Sequence, residues 1–147
     1  SGVRLSELLN IKWQDIDFEN NLVRVNLGKG HKDRLSILSE KVTNHLLQFK
    51  RDKKNDEFIF ISDFDSTKRL SGRTIGAVLK NACRKLELRY NITPHQLRHS
   101  LATHLVEADV NLRKIQTILG HSNLNTTKIY TQVAKNDLIN IQNPLDY

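Results

Sequence analysis

The 147-residue sequence predicts a mainly α-helical α+β domain with one small antiparallel β-sheet near its N-terminus. Two observations carry that expectation. Apolar residues recur at helical spacing behind polar capping residues through most of the chain, whereas strict alternation is confined to LVRVN and RLSIL, on either side of a glycine-containing turn. The length suits one ordinary hydrophobic core, so residues 1–147 are read as a single domain.

In chain order, RLSELLNIKWQDI spaces Leu5, Leu8, Leu9 and Trp13 as on a helix, with Ser6 and Glu7 on other faces. LVRVN, GKGHKD and RLSIL then form a β-hairpin with a basic tip. Ser39 opens an amphipathic helix in SEKVTNHLLQFKRDKK, FIFIS reads as a short buried strand, and Ser71 caps a basic helix through TIGAVLKNACRKL. Thr93 and Pro94 supply a cap and a first-turn proline for HQLRHSLATHLVEA, whose core stripe is Leu97, Leu101 and Leu105. Asn111 caps LRKIQTIL, Gly120 ends it, and a last helix carries TTKIYTQV.

Lys and Arg outnumber Asp and Glu by 23 to 16, for a formal charge of +7 and a pI near 9.7. Such a balance fits an anionic partner, nucleic acid first, although a membrane surface or simple solubility also accounts for it. The single cysteine, Cys83, cannot form an internal disulfide and reads as a small buried side chain on a helix, so a reducing, cytoplasmic interior is expected. No apolar run approaches the roughly 20 residues of a membrane span, and SGVRLSELL lacks a signal-peptide pattern. The complete absence of methionine suggests a piece of a longer protein.

Several residues are not needed by this fold. At about 100° per residue, His95 and Arg98 fall roughly 60° apart beside the core stripe, where they can reach one object. A capping histidine and a solvated arginine are the ordinary explanation. His95 and His99, four apart, could begin a zinc site, but the glutamate of HExxH and a cysteine cluster are missing. Arg4 and Glu7 have the spacing for a carboxylate to orient a guanidinium, or for a surface ion pair of little weight. Lys29, between Gly28 and Gly30, sits where backbone can approach another molecule; GKG lacks P-loop spacing. His121 follows a helix-ending glycine, where a cation complements the helix dipole. Tyr130, in LGHSNLNTTKIY, is either an amphipathic core anchor or a nucleophile.

Taken together and in order, these residues resemble the catalytic domain of the tyrosine recombinases, the phage-integrase and Xer-like family of site-specific DNA recombinases. SGVRLSELLNIKWQDID resembles the first arginine box and GKGHKDR the hairpin lysine. HQLRHSLATHLVEADVNLRKIQTILGHSNLNTTKIYTQV resembles the second box through to the nucleophile. The resemblance implies Tyr130 as nucleophile and Arg4, Lys29, His95, Arg98 and His121 as the phosphate-activating set, with Glu7 supporting Arg4. It also implies a 3′-phosphotyrosyl intermediate formed without ATP, metal or other cofactor. Gln132 stands where many relatives carry histidine, outside the chemical set.

Under that resemblance Lys32 and Arg34 on the hairpin, and Arg69, Arg73, Lys80, Arg84 and Lys85 around the Ser71 helix, are expected to neutralise DNA phosphates, with a solvated basic helix face as the plainer account of each. The partners implied are double-stranded DNA carrying specific recombination sites, a homo-tetramer on that DNA, and accessory proteins, on the nucleoid and not at a membrane. Residues 135–147, with Leu138, Ile139 and Ile141, are expected either to contact a neighbouring subunit or to fold back on their own domain. The family's DNA-clamping domain and the residues before the first box are absent, so weak binding and poor turnover are expected. A catalytically weak DNA-binding or regulatory relative is the alternative, and a metal-dependent hydrolase is a third class.

Overall fold

The computed structural model describes residues 1–26, 33–62, 65, 68–120 and 138–146. Five α-helices are defined among them, α1 (Leu5–Leu8), α2 (Glu40–Phe49), α3 (Gly72–Lys85), α4 (Pro94–Glu107) and α5 (Leu112–Leu119), with two short 3-10 turns and three strands, β1 (Ile16–Asp17), β2 (Leu22–Val25) and β3 (Arg34–Ile37). The strands form one antiparallel sheet in the order β1-β2-β3, with Leu22 opposite Ile37 and Val25 opposite Arg34. The expected α+β class and early sheet are therefore present.

Both faces of the sheet are covered, because successive residues of a strand point to opposite sides. Leu22 and Ile37 join Leu105, Ile115, Ile118, Leu119 and Leu138 in one core cluster, built with α4 and α5. Val23, on the other face, joins Ile11, Ile16 and Leu38, against Leu8 of α1 and Leu46 of α2. This two-sided burial lets a domain with short strands hold its sheet in a fixed register.

Capping chemistry sets the helix boundaries. Ser39 accepts from the Val42 N–H and Ser71 from the Thr74 N–H, each at 3.1 Å, which satisfies donors that have no partner within the helix. Thr93 and Gln96 exchange reciprocal bonds of 3.2 and 2.8 Å around Pro94, and the Asn111 side chain accepts from the Arg113 N–H. Gly120 ends α5 in the left-handed region at φ +67°. Cys83 is buried on α3, as expected.

Three expectations need correction. The first helix stops at Leu8, because the Asn10 side chain takes the Ser6 carbonyl and the Ile11 carbonyl pairs with the Ile59 N–H. FIFIS makes only isolated antiparallel bridges, Lys12 with Phe58 and Ile61 with Arg69, and its apolar side chains are half-buried. Leu97 is 48% exposed although Leu105 is fully buried, since each four-residue step advances about 400° and rotates the stripe by about 40°. Of the two alternatives for the tail, the contacts within this chain match the second: Leu138 enters the core, and Asp146 accepts from the Glu40 and Lys41 N–H groups at the start of α2. The expected helix at TTKIYTQV lies outside the described residues.

Candidate active site

Three arginines from distant parts of the chain meet at the C-terminal end of α5. A helix ends in carbonyls without internal partners and carries the negative end of the macrodipole, so cations gather there. The Ile118 carbonyl accepts from Arg34 Nε at 3.1 Å, the Leu119 carbonyl from Arg98 Nη2, and the Gly120 carbonyl from Arg4 Nη2 at 3.2 Å. Three consecutive peptide groups thus fix three guanidiniums, one each from the residue preceding α1, the start of β3 and the middle of α4.

One carboxylate binds two of them together. Glu7, 6% exposed, receives Arg34 Nη1 on Oε1 at 2.9 Å and Arg34 Nη2 on Oε2 at 2.8 Å. Its Oε1 also accepts from Arg4 Nη1 at 2.8 Å, and its Oε2 from the Arg4 backbone N–H at 2.6 Å. Burial pushes the Glu7 carboxyl upward, but the bonds from Arg34 and then Arg4 outweigh it and bring the group from 4.5 down to about 2. Arg98 is itself buried, and burial, followed by repulsion from Arg4 and Arg34, holds its pKa below the ordinary arginine value. Glu7 partly offsets this repulsion.

The cluster leaves one guanidinium half open. The Arg4 side chain is 46% exposed, so it can bind an anion from solvent while its inner edge stays on Glu7 and Gly120. Arg98 also donates to the Gly2 carbonyl, which brings the start of the chain against α4. Gly2 has φ +63°, and a Cβ there would stand 2.7 Å from Leu101 Cδ2. His95 is solvent-exposed in the first turn of α4, one helical turn before Arg98.

Arg4, Glu7 and Arg98 are therefore brought together, and Arg34 joins them. The expected DNA-contact role of Arg34 is corrected: it is 7% exposed and its fork is turned onto Glu7, away from solvent. Alternation in RLSIL could not show this, because it presumes one solvated face and both faces of this sheet are covered. A useful signal would have been that an arginine within a doubly covered strand requires a buried carboxylate. Lys29, Lys32, His121 and Tyr130 lie outside the described residues.

The remaining basic positions are exposed. Arg73, Lys80 and Arg84, at spacings of seven and four on α3, fall within about 40° of one another, while Lys85 lies to one side. Arg69 stands over the Phe58 ring at 5.0 Å and donates to Asn10. Among the described residues no group of three His, Cys, Asp or Glu side chains could hold a metal, so the His95–His99 pair finds no third ligand there. No described helix is long and apolar enough to cross a membrane.

Residues 1–137 match the model of the phage integrase family. The chain is 41% identical over 140 residues to the tyrosine recombinase XerA of Pyrococcus horikoshii, an alignment covering 94% of this chain and 48% of that relative. Among solved structures, a XerA recombinase aligns at TM-score 0.72 and 31% identity, over 99% of this chain and 50% of that one. XerH site-specific recombinase bound to a difH substrate, in a pre-cleavage complex, aligns at TM-score 0.66 and 28% identity, covering 85% of this chain and 37% of that one. The chain thus spans about half the length of the XerA relative.

Proposed function

Because the chain belongs to the phage integrase family of tyrosine recombinases, we propose that it is the strand-cutting part of a site-specific DNA recombinase. The observation that carries the proposal is the convergence of Arg4 and Arg98 on adjacent carbonyls, beside the Glu7 carboxylate that Arg4 shares with Arg34. Attack on a phosphodiester concentrates negative charge on its two non-bridging oxygens. Planar guanidiniums held in place beforehand can bind that charge with forked hydrogen bonds and without reorganising during the reaction.

In the proposed reaction the Tyr130 hydroxyl attacks the scissile phosphorus, an O–P bond forms, and the bond to the 5′ oxygen breaks. His95 takes the phenolic proton, since a phenol of pKa about 10 is a poor nucleophile at neutral pH. Lys29 delivers a proton to the departing 5′ oxygen, and His121 donates a hydrogen bond to the phosphate. The 3′-phosphotyrosyl link keeps the energy of the broken diester. A 5′ hydroxyl from another strand can therefore reverse the step and join new partners without ATP or a divalent ion.

Recognition would rest on Lys32, Arg69, Arg73, Lys80, Arg84 and Lys85 against backbone phosphates, with affinity falling as salt rises. Exchange of two duplexes needs four cleavages, hence four such domains on two recombination sites, together with accessory proteins. The chemistry belongs on the nucleoid, in the cytoplasm.

The test uses duplex DNA nicked next to the scissile phosphate, so that the cut fragment diffuses away and the covalent complex accumulates. A DNA adduct that survives denaturation and is lost in Tyr130→Phe is the expected result. Binding with no adduct would instead favour a regulatory DNA-binding relative, and activity abolished by a chelator would favour a metal-dependent hydrolase.

A further inference from the structure

We propose that Arg34 is a positioning residue for strand cleavage: from inside the domain it fixes the Glu7 carboxylate and the end of α5, and through them the orientation of Arg4 and Arg98. The inference rests on the phosphoryl-transfer reading above.

Arg34 Nη1 and Nη2 occupy both oxygens of Glu7, at 2.9 and 2.8 Å, while Nε binds the Ile118 carbonyl at 3.1 Å. The same Glu7 oxygens hold Arg4, through Nη1 and the backbone N–H. The next two carbonyls after Ile118 hold Arg98 and Arg4. Arg34 therefore touches both scaffolds on which Arg4 depends, and one of them also anchors Arg98. Its Nε, Nη1 and Nη2 are all engaged by Ile118 and Glu7, so it acts through these neighbours and not on the phosphate.

Two physical consequences follow from its removal. Glu7, still buried, would be left with Arg4 as its cation and would draw that half-exposed guanidinium inward, away from an incoming phosphate. The Ile118 carbonyl would also lose its side-chain partner, freeing the end of the helix that precedes His121. Lysine is a poor substitute, because a single ammonium cannot bind two carboxylate oxygens in a fork and a peptide carbonyl as well.

Both Arg34→Lys and the charge-balanced pair Arg34→Met with Glu7→Gln should be made in the full-length polypeptide. DNA affinity is measured by fluorescence anisotropy, folding by cooperative thermal unfolding, and chemistry by the single-turnover rate of adduct formation on the nicked duplex at saturating protein. Arg34→Lys is expected to unfold cooperatively and bind within about threefold of the unaltered protein, while its saturating cleavage rate falls roughly 10- to 100-fold, the scale of a misplacement of about 1 Å. A merely structural role would lower the folded fraction or the affinity and leave the saturating rate of folded, bound protein unchanged; that result overturns the proposal. Should Arg34→Lys not fold, the charge-balanced pair is compared with Glu7→Gln alone: a folded pair that cleaves more slowly than Glu7→Gln supports the proposal, and one that cleaves at the Glu7→Gln rate, or also fails to fold, overturns it. Absence of an adduct from the unaltered protein defeats the reaction reading itself. An adduct from the unaltered protein, with undiminished cleavage by Arg34→Lys, defeats this inference alone.

Discussion

A Cβ on Gly120 would stand 2.6 Å from both Cδ and Nε of Arg34, so the glycine that ends α5 and the arginine buried under it fit together only because the glycine has no side chain. The same glycine is at φ +67°, and its carbonyl accepts from Arg4. One small residue therefore meets a backbone requirement, a packing requirement and a hydrogen bond at once.

Gly120→Ala should accordingly lower stability by more than left-handed strain alone, which costs roughly 1–2 kcal/mol. Moving Arg34 off Glu7 adds to that cost, and a total of roughly 2–4 kcal/mol is expected from urea unfolding. In an Arg34→Ala background the clash no longer exists, so the cost should fall back toward the strain term. A double-mutant cycle with coupling of about 1 kcal/mol or more would support this packing, and equal costs in both backgrounds would mean that φ alone requires the glycine.

Stability should also depend on pH through Glu7. Its carboxyl lies at about 2 in the folded protein against 4.5 without these interactions. A depressed folded value stabilises the protein fully above 4.5, and that contribution is lost as pH falls from there toward 2. The difference corresponds to roughly 3 kcal/mol as an upper figure. Urea midpoints measured between pH 6 and pH 2.5 should fall for the unaltered protein, and Glu7→Gln, already less stable at pH 6, should show a shallower decline. Parallel profiles would remove Glu7 from the account.

How far the sequence could be read depended on how local each signal was. Ser39, Ser71, Thr93, Asn111 and Gly120 act within a few residues of themselves, and each marks the boundary expected of it. The pairing of Arg4 with Glu7 is equally local. Arg34 was misread because its partners lie 27 and 84 residues away, and no periodicity reports a contact across that distance. The first helix was overextended because apolar spacing carries no record of Ile11 bonding to Ile59.

On α3 the aligned Arg73, Lys80 and Arg84 should behave as a phosphate-facing stripe. The helix buries Cys83 and leaves these three exposed, so glutamine at each should leave the melting temperature nearly unchanged. Each substitution should weaken duplex binding on any sequence and reduce the slope of log affinity against log salt by about 0.9, since one fewer phosphate is neutralised. Anisotropy titrations at several salt concentrations provide the measurement, and a slope unchanged in the triple variant would assign the stripe to solvent.

The segment 138–146 can be tested as a structural part of its own domain. Leu138 is 3% exposed within the cluster of Leu22, Ile37, Leu105 and Ile118, whereas Leu145 is 58% exposed. Leu138→Ala should therefore cost roughly 2–4 kcal/mol, as deletions from a packed core do, and Leu145→Ala under about 0.5 kcal/mol. Asp146 accepts at 2.9 and 3.3 Å from the Glu40 and Lys41 N–H groups, adding a carboxylate to the positive end of α2. Asp146→Ala should cost on the order of 0.5–1 kcal/mol and speed proteolysis after Ile139 without weakening the rest of the core. If Leu138→Ala were as mild as Leu145→Ala at low protein concentration, the leucine would not be buried in its own subunit in solution. A cost that then appeared only on the DNA-bound assembly would place it against a neighbouring subunit instead.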